Sequence, residues 1–97
     1  MRVIAKRTLR EYWEQHAETR LALEEWYLLA EKANWNSPSD ITSQVPNSRY
    51  LGNGRFSFKI RGNNYRLIVK VIFEMQRVYI RFVGTHAEYD KIDATMI

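Results

Sequence analysis

The hydrophobic period of this chain changes near its midpoint from that of a helix to that of a strand. In the first half, Leu9, Tyr12, Trp13 and His16 recur three and four residues apart, and after a break near Glu18–Thr19 so do Ala22, Leu23, Trp26, Tyr27 and Ala30. That spacing places one apolar stripe on each of two amphipathic helices. In the second half, Phe56, Phe58 and Ile60 alternate with Arg55, Ser57 and Lys59. Tyr65, Leu67, Val69, Val71 and Phe73 alternate with Arg66, Ile68, Lys70 and Ile72, and Val78, Ile80 and Phe82 with Arg77, Tyr79 and Arg81. Period two is the side-chain repeat of a strand with one buried face. Gly62-Asn63-Asn64 and Glu74-Met75-Gln76 separate the three runs; Gly and Asn tolerate the positive φ of tight turns. The pattern predicts an α+β fold in which two N-terminal amphipathic helices pack on one face of a small antiparallel β-sheet.

Smaller signals fill in the rest. Met1 to Ala5 is a short apolar segment that reads as a first strand. Thr8-Leu9-Arg10-Glu11 has the form of a capping box opening the first helix. Ser37-Pro38 is a second start signal, opening only a short turn before Pro46-Asn47-Ser48. Residues 1–97 show no repeat and no linker, so one domain is expected.

Composition removes several classes of chemistry. The 97 residues include no cysteine, which excludes disulfides, thiolate metal sites and a thiol nucleophile. The two histidines, His16 and His86, have no third metal ligand at a useful spacing. No cluster of carboxylates suits a two-metal nuclease, and no cofactor is called for. The N-terminal residues carry no signal-peptide apolar run, and no stretch has the length a membrane span needs. A cytoplasmic protein without a membrane partner is the expectation.

The net charge of +4 is unevenly placed. Residues 1–48 hold six basic and seven acidic side chains, residues 49–97 nine and four. Between Arg49 and Arg81 there are eight basic residues and one acid, Glu74. Strand alternation sends Arg55, Lys59, Arg66, Lys70, Tyr79 and Arg81 to the face opposite the helices, with Arg61 at its edge. Cations on adjacent strands stand about 5–8 Å apart and repel one another. A phosphate backbone relieves that repulsion, and Tyr79 offers a ring on which a base can stack. Solubility alone would scatter both signs of charge.

After the last strand, Gly84-Thr85-His86-Ala87-Glu88-Tyr89-Asp90 lets the chain bend off the sheet and brings Thr85, His86 and Tyr89 beside the basic face. This composition suits cleavage of RNA by its own 2′-hydroxyl. That reaction needs a base, an acid at the leaving oxygen, and cations for the charge that develops on phosphorus. His86 and Tyr89 are the residue types available for proton transfer. His16 falls in the apolar stripe and reads as core or boundary; Glu88 and Asp90 read as solvated.

These segments resemble the HigB branch of the RelE/ParE toxin superfamily. The likeness rests on Gly62 to Val69, on Arg81-Phe82-Val83-Gly84-Thr85-His86-Ala87-Glu88-Tyr89-Asp90-Lys91-Ile92, on Ala5 to Glu11, and on Trp35 with Ser37-Pro38. It covers essentially the whole chain, and Gly84 to Ile92 is its most specific part. The resemblance implies the toxin of a type II toxin–antitoxin system, an endoribonuclease that cuts mRNA in the A site of translating ribosomes without a metal. It implies that Lys59 and Arg66 hold the scissile phosphate and that Arg61 is a further basic position. His86 stands where the RelE branch has an arginine, Tyr89 lies near that branch's C-terminal tyrosine, and Ser57 replaces a lysine. With Lys59, Arg66, His86 and Tyr89 as the catalytic set, Arg55, Arg61, Lys70, Tyr79, Arg81 and Thr85 are expected to bind RNA. A HigA-type antitoxin with a helix-turn-helix domain is the implied partner, and operator DNA is reached only through it. A ParE-like gyrase inhibitor and a non-catalytic RNA-binding module are the competing readings on the same fold.

Overall fold

The computed structural model describes residues 1–97. The elements run β1 (Arg2–Ile4), α1 (Lys6–Gln15), a 3-10 turn (Ala17–Thr19), α2 (Arg20–Lys32), α3 (Pro38–Gln44), β2 (Ser48–Gly52), β3 (Arg55–Ile60), β4 (Tyr65–Ile72), a second 3-10 turn (Phe73–Met75), β5 (Arg77–Thr85) and α4 (His86–Tyr89). The expected helices, sheet and midpoint switch are all present. The three-stranded meander β3–β4–β5 is antiparallel throughout. Two strands widen it to the order β1-β5-β4-β3-β2. β1 joins β5 in parallel, so the sheet is mixed rather than wholly antiparallel. β2 joins β3 in antiparallel fashion, with its register broken between Tyr50 and Gly52. Only five residues long and bent at Gly52 (φ 91), β2 leaves too short an alternation to be read from sequence.

The helix-facing side of the sheet forms the main core. Leu9, Trp13, Leu23, Trp26 and Ala30 from α1 and α2 pack over Phe56, Phe58, Leu67, Val69 and Val78. Each large side chain fully withdrawn from water there contributes about 1.5–3 kcal/mol. Trp26 meets Phe58 edge-on with ring centroids 5.3 Å apart, a geometry aromatic quadrupoles favour. No helix is long and apolar enough to cross a membrane.

Local details depart from expectation in three places. Thr8 and Glu11 form no capping box: α1 starts earlier, at Lys6, with Ala5 at its N-cap and no side-chain cap bond. Glu11 instead lies 3.6 Å from Arg7, one turn back. Ser37-Pro38 opens a seven-residue helix rather than a short turn. Fully buried Ile41 anchors it, and Trp35 Nε1 donates to Gln44 Oε1 at 2.7 Å.

The third departure is a bulge in β5. Ile68 pairs with Phe82 and Val69 with Ile80, so Arg81 has no register partner. An extra residue flips the alternation beyond it. Phe82 therefore leaves the face of Val78 and Ile80 for that of Ile68, and Val83 takes its place against the core.

The face opposite the helices is less open than a row of cations would suggest. Ile68, on that face, is fully buried, and Ala94 is nearly so. The last residues of the chain lie against it: Asn53 Nδ2 donates to the Thr95 carbonyl at 3.4 Å, and Arg55 donates to the Ile97 carbonyl through Nε at 3.0 Å and a terminal nitrogen at 2.7 Å.

A cationic groove walled by the His86 helix

The antiparallel register fixes which basic side chains meet. Lys59 of β3 sits directly across from Arg66 of β4, and Arg49 of β2 across from Ser57 of β3. Ser57 and Lys59 are two residues apart, so all four project from one face. They line an open groove of about 490 Å³. α4 supplies its other wall through His86 and Tyr89, with Asp90 directly after it, and Asn47 and Ser48 lie at the margin. No carboxylate lies within ion-pair distance of Arg49, Lys59 or Arg66, since the structure's pairs are Arg7–Glu11, Arg10–Glu14, Arg20–Glu24 and His86–Asp90. Three mutually repelling cations, none of them paired with the one carboxylate that lines the groove, Asp90, make its sheet side attractive to an anion.

Arg66 is the most constrained of them, only 7% exposed. Its terminal nitrogens donate to the Asn63 and Tyr65 carbonyls at 3.1 and 3.2 Å and to Asn63 Oδ1 at 2.6 Å. The same β3–β4 turn accepts the His86 backbone amide on the Asn64 carbonyl at 3.0 Å. Gly62, at φ 67, gives that turn the left-handed step it needs. One loop thus sets both the guanidinium and the start of the helix that carries the imidazole.

The local sequence explains why α4 forms there. Thr85 Oγ1 accepts from the Glu88 amide at 3.1 Å, and Glu88 returns a carboxylate oxygen to the Thr85 amide at 2.8 Å. This is a reciprocal capping box, the motif anticipated at Thr8. The Thr85 backbone amide, with help from its hydroxyl, holds the Glu88 carboxyl below its ordinary value. Gly84 is required just before it. A Cβ there would meet the Phe82 ring at 2.5 Å, and the β5 bulge is what brings Phe82 onto that face.

Of the residues singled out from sequence, Lys59, Arg66, His86 and Tyr89 converge on this groove. The others stand elsewhere. Arg55 is engaged by the Ile97 carbonyl. Lys70 is in register with Arg55 and Tyr79 at the opposite end of the strands, four residues and roughly 13 Å from Arg66 along β4. Arg61 takes φ 53 and turns toward the helix side, where it lines a hollow with Ala22 and Trp26. Arg81 stands with its guanidinium carbon 5.8 Å from the Tyr79 ring centroid and lines a hollow with Tyr12 and His16 beside α1. The Thr85 hydroxyl is occupied by its capping bond. His16 is half-buried and stacked on Tyr12 at 4.3 Å, in keeping with a boundary position.

Two groove residues were not legible as such. Arg49 stood among the counted basic residues, but without β2 it had no face. Asp90, read as solvated, has its carboxylate Oδ2 3.0 Å from His86 Nδ1. The spacing of four between them was the available signal, since it aligns side chains on one helical face.

Comparison with known proteins identifies the family. The model of a family described as HigB toxin, RelE-like toxic component of a toxin–antitoxin system, matches residues 19–92. The mRNA interferase HigB of Escherichia coli O6:H1 strain CFT073 is 28% identical, the alignment covering 95% of this chain and 91% of the relative. The mRNA interferase toxin HigB of Escherichia coli K12 is 30% identical over 93% of this chain and 88% of its own. The mRNA interferase HigB of Shigella flexneri gives the same values, 30%, 93% and 88%. With the family model spanning most of the sequence and relatives aligned nearly end to end, the chain belongs to the HigB toxin family, the RelE-like toxic components of toxin–antitoxin systems.

Proposed function

We propose that this protein is an endoribonuclease that cuts mRNA on translating ribosomes and so arrests translation. The observation that carries the reading is the convergence of Lys59, Arg66, His86 and Tyr89 on one groove with no competing carboxylate on its cations. The naming of its relatives as mRNA interferases supports the substrate class.

In this reading Lys59 and Arg66 hold the non-bridging oxygens of the scissile phosphate, and Arg49 meets a neighbouring phosphate of the strand. His86 Nε2 takes the proton of the 2′-hydroxyl. The freed oxygen attacks phosphorus, the bond from phosphorus to the 5′-oxygen breaks, and the Tyr89 hydroxyl protonates the departing oxygen. The products are a 2′,3′-cyclic phosphate and a 5′-hydroxyl end. Fixed cations stabilise the charge that builds on phosphorus, so the step is metal-independent. Solvent returns the proton from His86 to Tyr89 between turnovers.

The groove is open, and its rings, His86 and Tyr89, stand on one wall only, so nothing clamps a free strand from both sides and free RNA is aligned poorly. The A site of the ribosome supplies that alignment, a contribution that reaches several kcal/mol in well-oriented reactions. The partner is a HigA-type helix-turn-helix antitoxin, which neutralises the toxin and carries the complex to operator DNA.

Mapping mRNA ends after induced expression, with and without the antitoxin, tests the proposal. Discrete cuts within translated frames that bear 5′-hydroxyl ends, insensitive to chelators, are expected. DNA breaks with intact mRNA would replace it with gyrase poisoning, and RNA binding without new ends with a non-catalytic role.

A further inference from the structure

Asp90 follows α4 directly. Its backbone amide donates to the His86 carbonyl at 3.0 Å, so the helical turn continues through it and the two side chains share a face. Its carboxylate Oδ2 lies 3.0 Å from His86 Nδ1. A carboxylate offers only lone pairs, so at that distance it repels a bare ring nitrogen and attracts a protonated one. The proton of a neutral His86 ring therefore resides on Nδ1, which leaves the lone pair on Nε2. The rest of the ring's surroundings fix its placement: the His86 amide is tied to the Asn64 carbonyl, and the Tyr89 ring stands edge-on at 6.5 Å between centroids. The Glu88 carboxylate, next door in sequence, is turned away to the Thr85 amide.

We infer that Asp90 is a positioning residue that locks His86 in its Nδ1–H tautomer, so that Nε2 is the acceptor offered to the RNA 2′-hydroxyl. Its purpose rests on the endonuclease reading above, whereas the tautomer itself does not. Asp90 touches no reacting atom. A purely structural role, a link tying the end of α4 to its first residue, would need no particular tautomer.

Long-range proton–nitrogen spectra of the full chain, labelled at histidine and recorded well above the ordinary imidazole range, read the tautomer directly. His16 serves as the internal reference. In the unaltered protein His86 shows a protonated Nδ1 and a bare Nε2. Asp90→Ala moves the principal form to Nε2–H, and Asp90→Glu, which keeps a carboxylate one helical turn away, restores it. On programmed ribosomes Asp90→Ala lowers kcat by about 10–100-fold, the range seen when a histidine's outer partner is lost, with KM changed by less than about twofold. Asp90→Glu recovers most of that rate. An Nε2–H tautomer in the unaltered protein, or the same tautomer with and without the Asp90 carboxylate, overturns the inference. Loss of rate in Asp90→Ala with an unmoved tautomer overturns it as well. If the spectra behave as expected but the unaltered protein cuts no mRNA, the endonuclease reading falls and the tautomer assignment stands.

Discussion

The guanidinium carbon of Arg66 lies 5.6 Å from the centroid of the Tyr89 ring while its terminal nitrogens are held by Asn63 and the Tyr65 carbonyl. A cation over an aromatic face is attracted by the ring quadrupole, so Arg66 links the sheet to α4 as well as facing the groove. Arg66→Ala is expected to abolish growth inhibition and to lower single-turnover mRNA cleavage by about 10²–10³-fold, as loss of one preorganised donor does elsewhere. Arg66→Lys should recover little, because an ammonium cannot reproduce the fork that meets Asn63 and the ring together. Cleavage assays beside thermal melts check this; a folded Arg66→Ala protein with full activity would exclude the residue from the mechanism.

Arg49 and Lys70 lie on the same sheet face, yet only Arg49 lines the groove. Arg49→Ala should weaken RNA binding and reduce the slope of log K against log salt by about 0.7, the value for one phosphate contact on a single strand. Lys70→Ala should leave that slope unchanged. Titrations at several salt concentrations separate the two, and equal effects would mean that RNA tracks the whole face.

Trp26 is 6% exposed, and its Nε1 is buried with no hydrogen-bond partner. Trp26→Ala should cost about 3–5 kcal/mol through the cavity it leaves against Phe58. Trp26→Phe should cost far less, since losing an unsatisfied donor offsets part of the lost packing. Denaturant unfolding gives both values, and a Trp26→Ala midpoint equal to the unaltered protein's would contradict the packing described.

The hydroxyl of Tyr65 donates to the Glu18 carboxylate, tying β4 to the turn between α1 and α2. That bond is the largest cause of two opposite shifts: Glu18 falls below its ordinary 4.5 and Tyr65 rises above its ordinary 10.0. Glu18 therefore adds stability above its ordinary value, lost as pH drops through its lowered folded value. Tyr65 adds stability below 10.0, lost as pH rises through its raised one. The difference in melting temperature between the unaltered protein and Tyr65→Phe should be level around neutrality and shrink toward both extremes. A difference independent of pH would show that the bond is not what Tyr65 contributes.

Periodicity was enough to place α1, α2, β3, β4 and β5, because each buries a stripe whose repeat is fixed by local backbone geometry. It also put Lys59 and Arg66 on one face of neighbouring strands joined by a Gly-Asn-Asn turn; that they stand directly opposite each other came from the register of the sheet. The segment from Gly84 to Asp90 announced a turn off the sheet with an imidazole and a phenol on it. None of this needed knowledge of distant contacts.

What only the tertiary structure decided is which of many cations share a site. β2 is too short to declare itself, so Arg49 gained its place only by pairing with β3. The bulge at Arg81 reversed the alternation of β5, which exposed that residue beside α1 and sent Phe82 across Gly84. Arg55 was taken by the end of the chain and Arg61 by a turn of positive φ. Alternation tells a side chain which way to leave its own strand, but pairing, bulges and covering segments are long-range choices, and they gather four of the chosen residues while dispersing the rest.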